Sequence, residues 1–284
     1  MHHAIEPVHA RKRLDPALLA VRPQRAATAI SPRFLLTVCL TLTSTGTALL
    51  VADEEPRNKS VTAESQALQR FETLGARVFK ESGTVVEVIL DRTEVTDSDL
   101  QLLAALPEIT DLSLEQTQVG DAGLSHLRVL SKLEWLNLFG TQVSDTGLAF
   151  LKDLKGLKHL PVGRTKVTDL GLVHFDSMQQ LLYLGLRGNA VTDAGLLHLQ
   201  NVRNLAGLHL GETKVTNAGL THLQGLFHLQ KLWLQSTSVS DEAIDILASF
   251  KALKELYVYE TRISAEGIQR LRTALPGCQI VDRQ

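Results

Sequence analysis

Cysteine is nearly absent: Cys39 and Cys278 are the only two in 284 residues. Cys39 lies in an apolar N-terminal segment. If that segment is removed, one thiol remains and no internal disulfide can form. A disulfide-stapled scaffold is excluded on that ground. Aromatic residues make up only 5% of the chain, which fits a core of one aliphatic side-chain type stacked on itself. A dominant charge is missing too. The formal net charge of −2 is too mild for a nucleic-acid-binding surface. Catalytic motifs are also lacking: no Gly-rich phosphate loop, no HExxH, no CxxC and no nucleophile elbow. We expect no enzyme, no cofactor and no metal site.

Charge is unevenly distributed. Residues 1–52 hold six Lys/Arg against Glu6 and Asp15, a net +4, which leaves −6 for the remainder. Residues 1–33 are basic, aperiodic and interrupted by Pro7, Pro16, Pro23 and Pro32; they read as a disordered extension. The uncharged run 34–52, FLLTVCLTLTSTGTALLVA, follows Arg33. A basic stretch ahead of an apolar one is the order of a secretory signal. Its length also suits an uncleaved membrane anchor. Export or membrane tethering is the expectation, with 53–60 as a polar linker. Residues 61–86 read as an N-terminal cap: a helix from Thr62 ended by Gly75, then two strands joined through Glu81-Ser82-Gly83.

What is present in quantity is leucine, at a period of 24. Val88, Leu112, Leu136, Leu160, Leu184, Leu208, Leu232 and Leu256 follow one another without a gap. Each has a partner two residues on, from Leu90 to Val258. Alternation of period 2 means a short strand with these side chains inward. Leu196, Leu199, Val202 and Leu205 then recur every third residue, which reads as a short helical return. A fixed period of this length means a solenoid. Between strand and helix runs a polar column: Thr93, Thr117, Thr141, Thr165, Asn189, Thr213, Thr237 and Thr261. Ser or Thr follows three residues later, then commonly Asp, which is helix N-cap chemistry with a favourable dipole. A glycine column (Gly123, Gly147, Gly171, Gly195, Gly219, Gly267) suggests close approach of adjacent turns.

This pattern resembles the leucine-rich repeat family, whose LxxLxLxxN motif has Asn where only Asn189 keeps it here. The resemblance implies an α/β solenoid: a right-handed horseshoe with a concave parallel sheet of about nine strands and short convex helices. It covers eight repeats over 87–275, and 276–284 adds a closing strand with Cys278 as a small buried residue. In the family the Asn side chains form a ladder between neighbouring turns, and a Thr hydroxyl can substitute.

Strand residues that do not point inward line the concave face. Both tryptophans and all three tyrosines fall there. The candidate partner-binding set is Trp135, Asn137, Phe139, His159, Tyr183, Arg187, His209, Lys231, Trp233, Gln235, Tyr257 and Tyr259, since rigid aromatics are favoured anchors at interfaces. Gly163, Gly185, Gly207 and Gly211 would floor a dip between aromatic walls, and the first two units are acidic. Pro161 removes a strand N–H and weakens pairing on one side. His126, His174, His198 and His222 share one convex position. Helices about 10 Å apart hold them too far from one another to share a metal at about 2 Å. The expected function is non-catalytic protein binding, with a glycan as another possible ligand, no nucleic acid, and membrane contact only through 34–52 if uncleaved. The alternative is an intracellular substrate-recognition subunit of a ubiquitin-ligase-like or effector system.

Overall fold

The computed structural model describes residues 55–283. The basic extension and the apolar segment lie outside the described residues. The chain enters through a helix, Glu55–Thr73. Residues 55–60, expected to be linker, are therefore helical. Pro56 sits in the first turn, where a missing N–H costs nothing because that group has no intrahelical partner. Gly75 ends the segment at φ 82°, as its lack of a Cβ allows.

Ten strands form one sheet in sequence order. They are β1 (Arg77–Glu81), β2 (Thr84–Ile89), β3 (Asp111–Ser113), β4 (Trp135–Asn137) and β5 (His159–Pro161). After them come β6 (Tyr183–Gly185), β7 (Gly207–His209), β8 (Lys231–Trp233), β9 (Glu255–Tyr257) and β10 (Gln279–Val281). β1 and β2 are an antiparallel hairpin; β2 to β10 are nine parallel strands. The register matches the 24-residue frame, with Leu184 beside Leu208 and Leu208 beside Leu232. These leucines are fully buried, and so are Val85, Ala67 and Phe71 of the cap, or nearly so. Arg70 of the cap helix reaches Asp99 of the first repeat at 2.8 Å. The helical returns are brief: one α-turn such as Asp193–Leu196, then a 3₁₀ turn such as Leu197–Leu199. A spacing of three residues is the 3₁₀ period, and it aligns Leu196, Leu199 and Val202 on one face. Pairing between β4 and β5 is reduced to Trp135 with His159, whereas β5 pairs with β6 over three residues. Pro161 lacks the N–H that the β4 side would need.

The inter-turn ladder differs from the expected one. Each threonine of the polar column donates its hydroxyl within its own turn, for example Thr117 Oγ1 to the Leu114 carbonyl at 2.8 Å and Thr213 to Leu210 at 2.6 Å. Thr93, Thr141, Thr165, Thr237 and Thr261 do the same. A hydroxyl three residues from that carbonyl is too short to reach the next turn. Asn189 alone bridges turns: it accepts from the Thr165 N–H and donates to the Val162 carbonyl, both at 2.9 Å.

A second column links the turns instead. The Asp145 carboxylate accepts the Thr168 N–H and hydroxyl, both at 2.7 Å. Asp121 does this for Ser144, Asp169 for Thr192, Asp193 for Thr216 and Asp241 for Ser264. Burial pushes the Asp121 carboxyl up, but hydrogen bonds from Ser144, Thr146 and Gly147 outweigh it, and its pKa lies below the usual value. The glycine column makes room for these carboxylates. A Cβ on Gly171 would stand 2.5 Å from Asp145 Oδ1.

Every repeat bends at the residue before the polar column. Arg92, Gln116, Gly140, Arg164, Gly188, Glu212, Ser236 and Glu260 have φ of 51–71°. Six are not glycine, in a region that costs an L-residue roughly 1–2 kcal/mol. Inter-turn backbone bonds hold them there, such as Arg164 N–H to the Arg187 carbonyl at 2.7 Å.

Candidate functional site: the open face of the sheet

The face of the sheet turned away from the helices collects the strand residues flanking each inward leucine. Strand alternation gives it Glu87, Ile89 and Asp91 from the first repeat, then Asp111, Ser113 and Glu115, and so on to Glu255, Tyr257 and Tyr259. All twelve candidate residues lie on it, but they are less available than their positions suggest. Trp135, Asn137, Phe139, Tyr183, His209, Trp233 and Gln235 are buried. His159, Arg187, Lys231, Tyr257 and Tyr259 are half-buried.

The reason is lateral packing. Trp233 lies between His209 (centroids 5.3 Å apart, planes at 5°) and Tyr257 (5.5 Å, 15°), with the Tyr183 edge against it at 6.0 Å. Trp233 is 1% exposed. The glycines do not floor a dip; neighbouring side chains lie over them. A Cβ on Gly207 would meet the Tyr183 ring at 2.9 Å, one on Gly211 the Gln235 amide at 2.5 Å, and one on Gly163 the Phe139 ring at 3.1 Å. Glycine and ring are thus two halves of one packing arrangement.

His209 is part of it. Burial pushes its pKa down to about 3, so the ring is neutral at physiological pH. Its Nδ1 accepts the Gly211 N–H at 3.2 Å, which puts the ring proton on Nε2. The Gln235 amide lies 3.2 Å from Nε2. With the amide nitrogen toward the ring, Gln235 Oε1 is buried with no partner. The indole Nε1 of Trp233, Nδ1 of His159 and Oγ of Ser113 are buried without partners as well. A buried polar atom lacking a hydrogen bond costs about 1–3 kcal/mol. All four of these residues are on the open face.

Charges in the middle and toward the C-terminal end of the face are matched. Arg187 Nη2 is 2.6 Å from Glu212 Oε1 and Arg164 Nη2 is 2.9 Å from Oε2. Burial raises the Glu212 pKa, but hydrogen bonds and charge from the two arginines bring it below the usual range. Arg164 also covers the Phe139 ring, 6.0 Å from its centroid. Lys231 pairs with Glu255 at 2.6 Å, and Glu255 accepts the Tyr257 hydroxyl at 2.9 Å. Arg164 and Glu212 were missed as site residues. They sit at the left-handed bend, one residue past the strand flanks, and their 48-residue separation with opposite charge was the available signal.

Among the described residues, no group of three His, Cys, Asp or Glu is placed to hold a metal ion, and no helix is long and apolar enough to cross a membrane. Cys278 is half-buried, not fully so. Burial and the nearby Glu255 raise its pKa to about 11, which keeps the thiol protonated.

The fold is that of the leucine-rich repeat proteins, as the strand-per-turn solenoid defines it. A solved internalin C2 from Listeria monocytogenes is similar over 77% of this chain and 92% of its own, with 23% identity and a TM-score of 0.56. The leucine-rich repeat ectodomain of the Arabidopsis receptor kinase HAESA, solved with a peptide hormone ligand, is similar over 79% of this chain and 41% of its own, with 18% identity and a TM-score of 0.58. No family model matches the sequence, and no curated protein does either.

Proposed function

We propose that the chain is a non-catalytic protein-binding module, exported or membrane-tethered through residues 34–52, which holds a partner on the open face of its sheet. One observation carries this reading. Ser113, His159, Trp233 and Gln235 each keep a buried polar atom without a partner, and all four lie on that face. Leaving such groups unmatched is costly unless a bound molecule completes them. The fold supports the same reading, since stacked strands display a long, rigid surface. The HAESA ectodomain, similar in fold, was solved with a peptide hormone.

The accessible part of the face is its rim and its two ends. Tyr257 and Tyr259, with Lys231, are the contact residues toward the C-terminal end, and Arg187 is one in the middle; Trp135, Phe139, Tyr183 and Trp233 act as a rigid floor. A photo-reactive phenylalanine analogue at Tyr259, expressed in the native host, should form a protein adduct. The same analogue at Leu170, 75% exposed on the helical return Asp169–Ser177, should not. Adducts at Leu170 alone would move the site to the other side. N-terminal sequencing of the host-expressed protein tests export: cleavage near Ala52 supports it, and an intact cytosolic head supports the intracellular alternative.

A further inference from the structure

The N-terminal end of the open face is charged in a different way from the rest. β2 and β3 place Glu87 directly beside Asp111 in the ladder. Four residues further along, Asp91 lies beside Glu115, whose N–H donates to Asp91 Oδ1 at 3.1 Å. Like charges directly across adjacent strands destabilise a sheet. At the other end of the same face the equivalent ladder pair is Lys231 beside Glu255, an ion pair at 2.6 Å. The two ends of the face thus carry opposite ladder pairings.

Asp111, Asp91 and Glu115 have few cations about them. Arg92 reaches Glu115 from the rim at 3.4 Å, and Asn137 donates to it at 3.1 Å. Asp111 accepts the Thr110 hydroxyl at 2.6 Å. His159 feels the charge of Asp111, yet burial holds its pKa below the usual value and keeps it neutral. Burial, and then the charge of Asp91, outweigh the Asn137 and Arg92 contacts and raise the Glu115 pKa. Between the two acidic pairs lie Ile89 and Ser113, ladder neighbours that are 4% and 2% exposed. The Ser113 hydroxyl is on the open face by alternation, and its oxygen has no partner. Phe79, opposite Glu87 in the β1–β2 hairpin, is 46% exposed beside the acids.

We infer that this end of the face binds a basic protein segment in extended form, with two of its lysines or arginines over the Glu87–Asp111 and Asp91–Glu115 pairs. The inference rests on the open face being the binding surface and names the chemistry of its partner. The spacing sets the geometry. Four residues separate the two pairs, from β2 and β3 into the turns that follow them, a span of about 13 Å at about 3.3 Å per extended residue. An extended segment therefore presents matching cations four residues apart, on one side of its own backbone. The intervening side chain on that side lies over the Ser113 position, whose hydroxyl oxygen lacks a partner.

The test uses the full chain and a fluorescent peptide with lysines four residues apart, followed by anisotropy at low salt. A peptide with glutamate in their place is the reference. The wild-type protein should bind the lysine peptide and not the glutamate one. An Asp91→Asn, Asp111→Asn double variant should lose about tenfold or more in affinity, as removal of complementary charge predicts. Its melting temperature should hold or rise, because repulsion is relieved. An Asp245→Asn, Glu266→Gln variant removes the same charge from exposed convex positions and should bind as wild type does. Equal loss in both variants, or no binding by the wild type, overturns the inference. If the peptide fails while Tyr259 still forms a protein adduct, the face stands and only the partner chemistry falls. If both fail, the reading of the face falls with it.

Discussion

Replacing Gly171 with alanine is the sharpest test of how the turns are held together. Gly171 is fully enclosed, and an added Cβ would meet Asp145 Oδ1 at 2.5 Å, Leu148 Cδ1 at 3.0 Å and Val167 Cγ1 at 3.2 Å. The first contact is the decisive one. That carboxylate can move only by releasing the Thr168 N–H and hydroxyl, each at 2.7 Å. Hydrogen bonds to a charged group are worth roughly 1.5–3 kcal/mol each. Losing two costs about 3–6 kcal/mol, and the better helix propensity of alanine returns about 1. The net expectation is a loss of about 2–5 kcal/mol. Urea unfolding followed by circular dichroism and by tryptophan fluorescence reads it as a lower midpoint at unchanged slope. Two controls isolate the cause. Gly225→Ala should be neutral or stabilising, since nothing lies closer to its added Cβ than the Gln200 carbonyl at 3.5 Å. In an Asp145→Ala background, Gly171→Ala should cost far less than in the wild type, because the carboxylate it displaces is gone. Additive effects in that double-mutant cycle would refute the clamp.

Further predictions concern the face, the ladder and pH. Trp233→Ala should cost about 3–5 kcal/mol, the range for a buried aromatic, so a loss of partner binding in that variant must be checked against its melting curve. Asn189→Ala leaves the Thr165 N–H unmatched, while the Val162 carbonyl keeps the Thr165 hydroxyl, and should cost about 1–3 kcal/mol. Thr213→Val, which removes one bond within a turn, should cost less in the same urea assay. On acidification, Asp121 and Asp241 have folded pKa values below the ordinary one. Their stabilisation is present above about pH 4 and is lost as pH falls through the folded values. Glu115 has the opposite sign, since its raised pKa makes its ionised form unfavourable in the folded state. Glu115→Gln should therefore be more stable than wild type at neutral pH, and the difference should close as pH falls below the unfolded value of about 4.3. Thermal melts at both pH values decide the point.

The solenoid was legible because its cause is periodic. One leucine frame repeats every 24 residues, and period-2 alternation placed the strands and their inward side. Pro161 was legible too, since a missing N–H has one local consequence. The clamp was only half legible. Ser/Thr followed by Asp reads as a cap within one helix, and the bond from Asp145 to Thr168 crosses turns that a local reading treats separately. The threonine column misled because a family's ladder position was occupied by a side chain too short to bridge. The start of the cap helix was hidden in EPRNKS, whose composition is that of a linker.

The face was legible in membership but not in exposure. Alternation puts Trp233 outward, and outward would mean exposed on a single strand. In a sheet of nine parallel strands about 4.8 Å apart, flat rings reach sideways over neighbouring glycines. Tyr183 over Gly207 and Gln235 over Gly211 are contacts between turns, and nothing within one repeat announces them. The acidic end was visible as composition; that its acids stand in like-charge ladder pairs required the register.

The most direct test of the open-face reading is hydroxyl-radical footprinting of the protein with and without the partner captured at Tyr259. Phe79, Tyr257 and Tyr259 should become protected on binding. Leu170 and Leu197, 75% and 44% exposed on helical returns, should oxidise at the same rate in both samples. Protection of Leu170 or Leu197, with Tyr257 and Tyr259 unchanged, would contradict it.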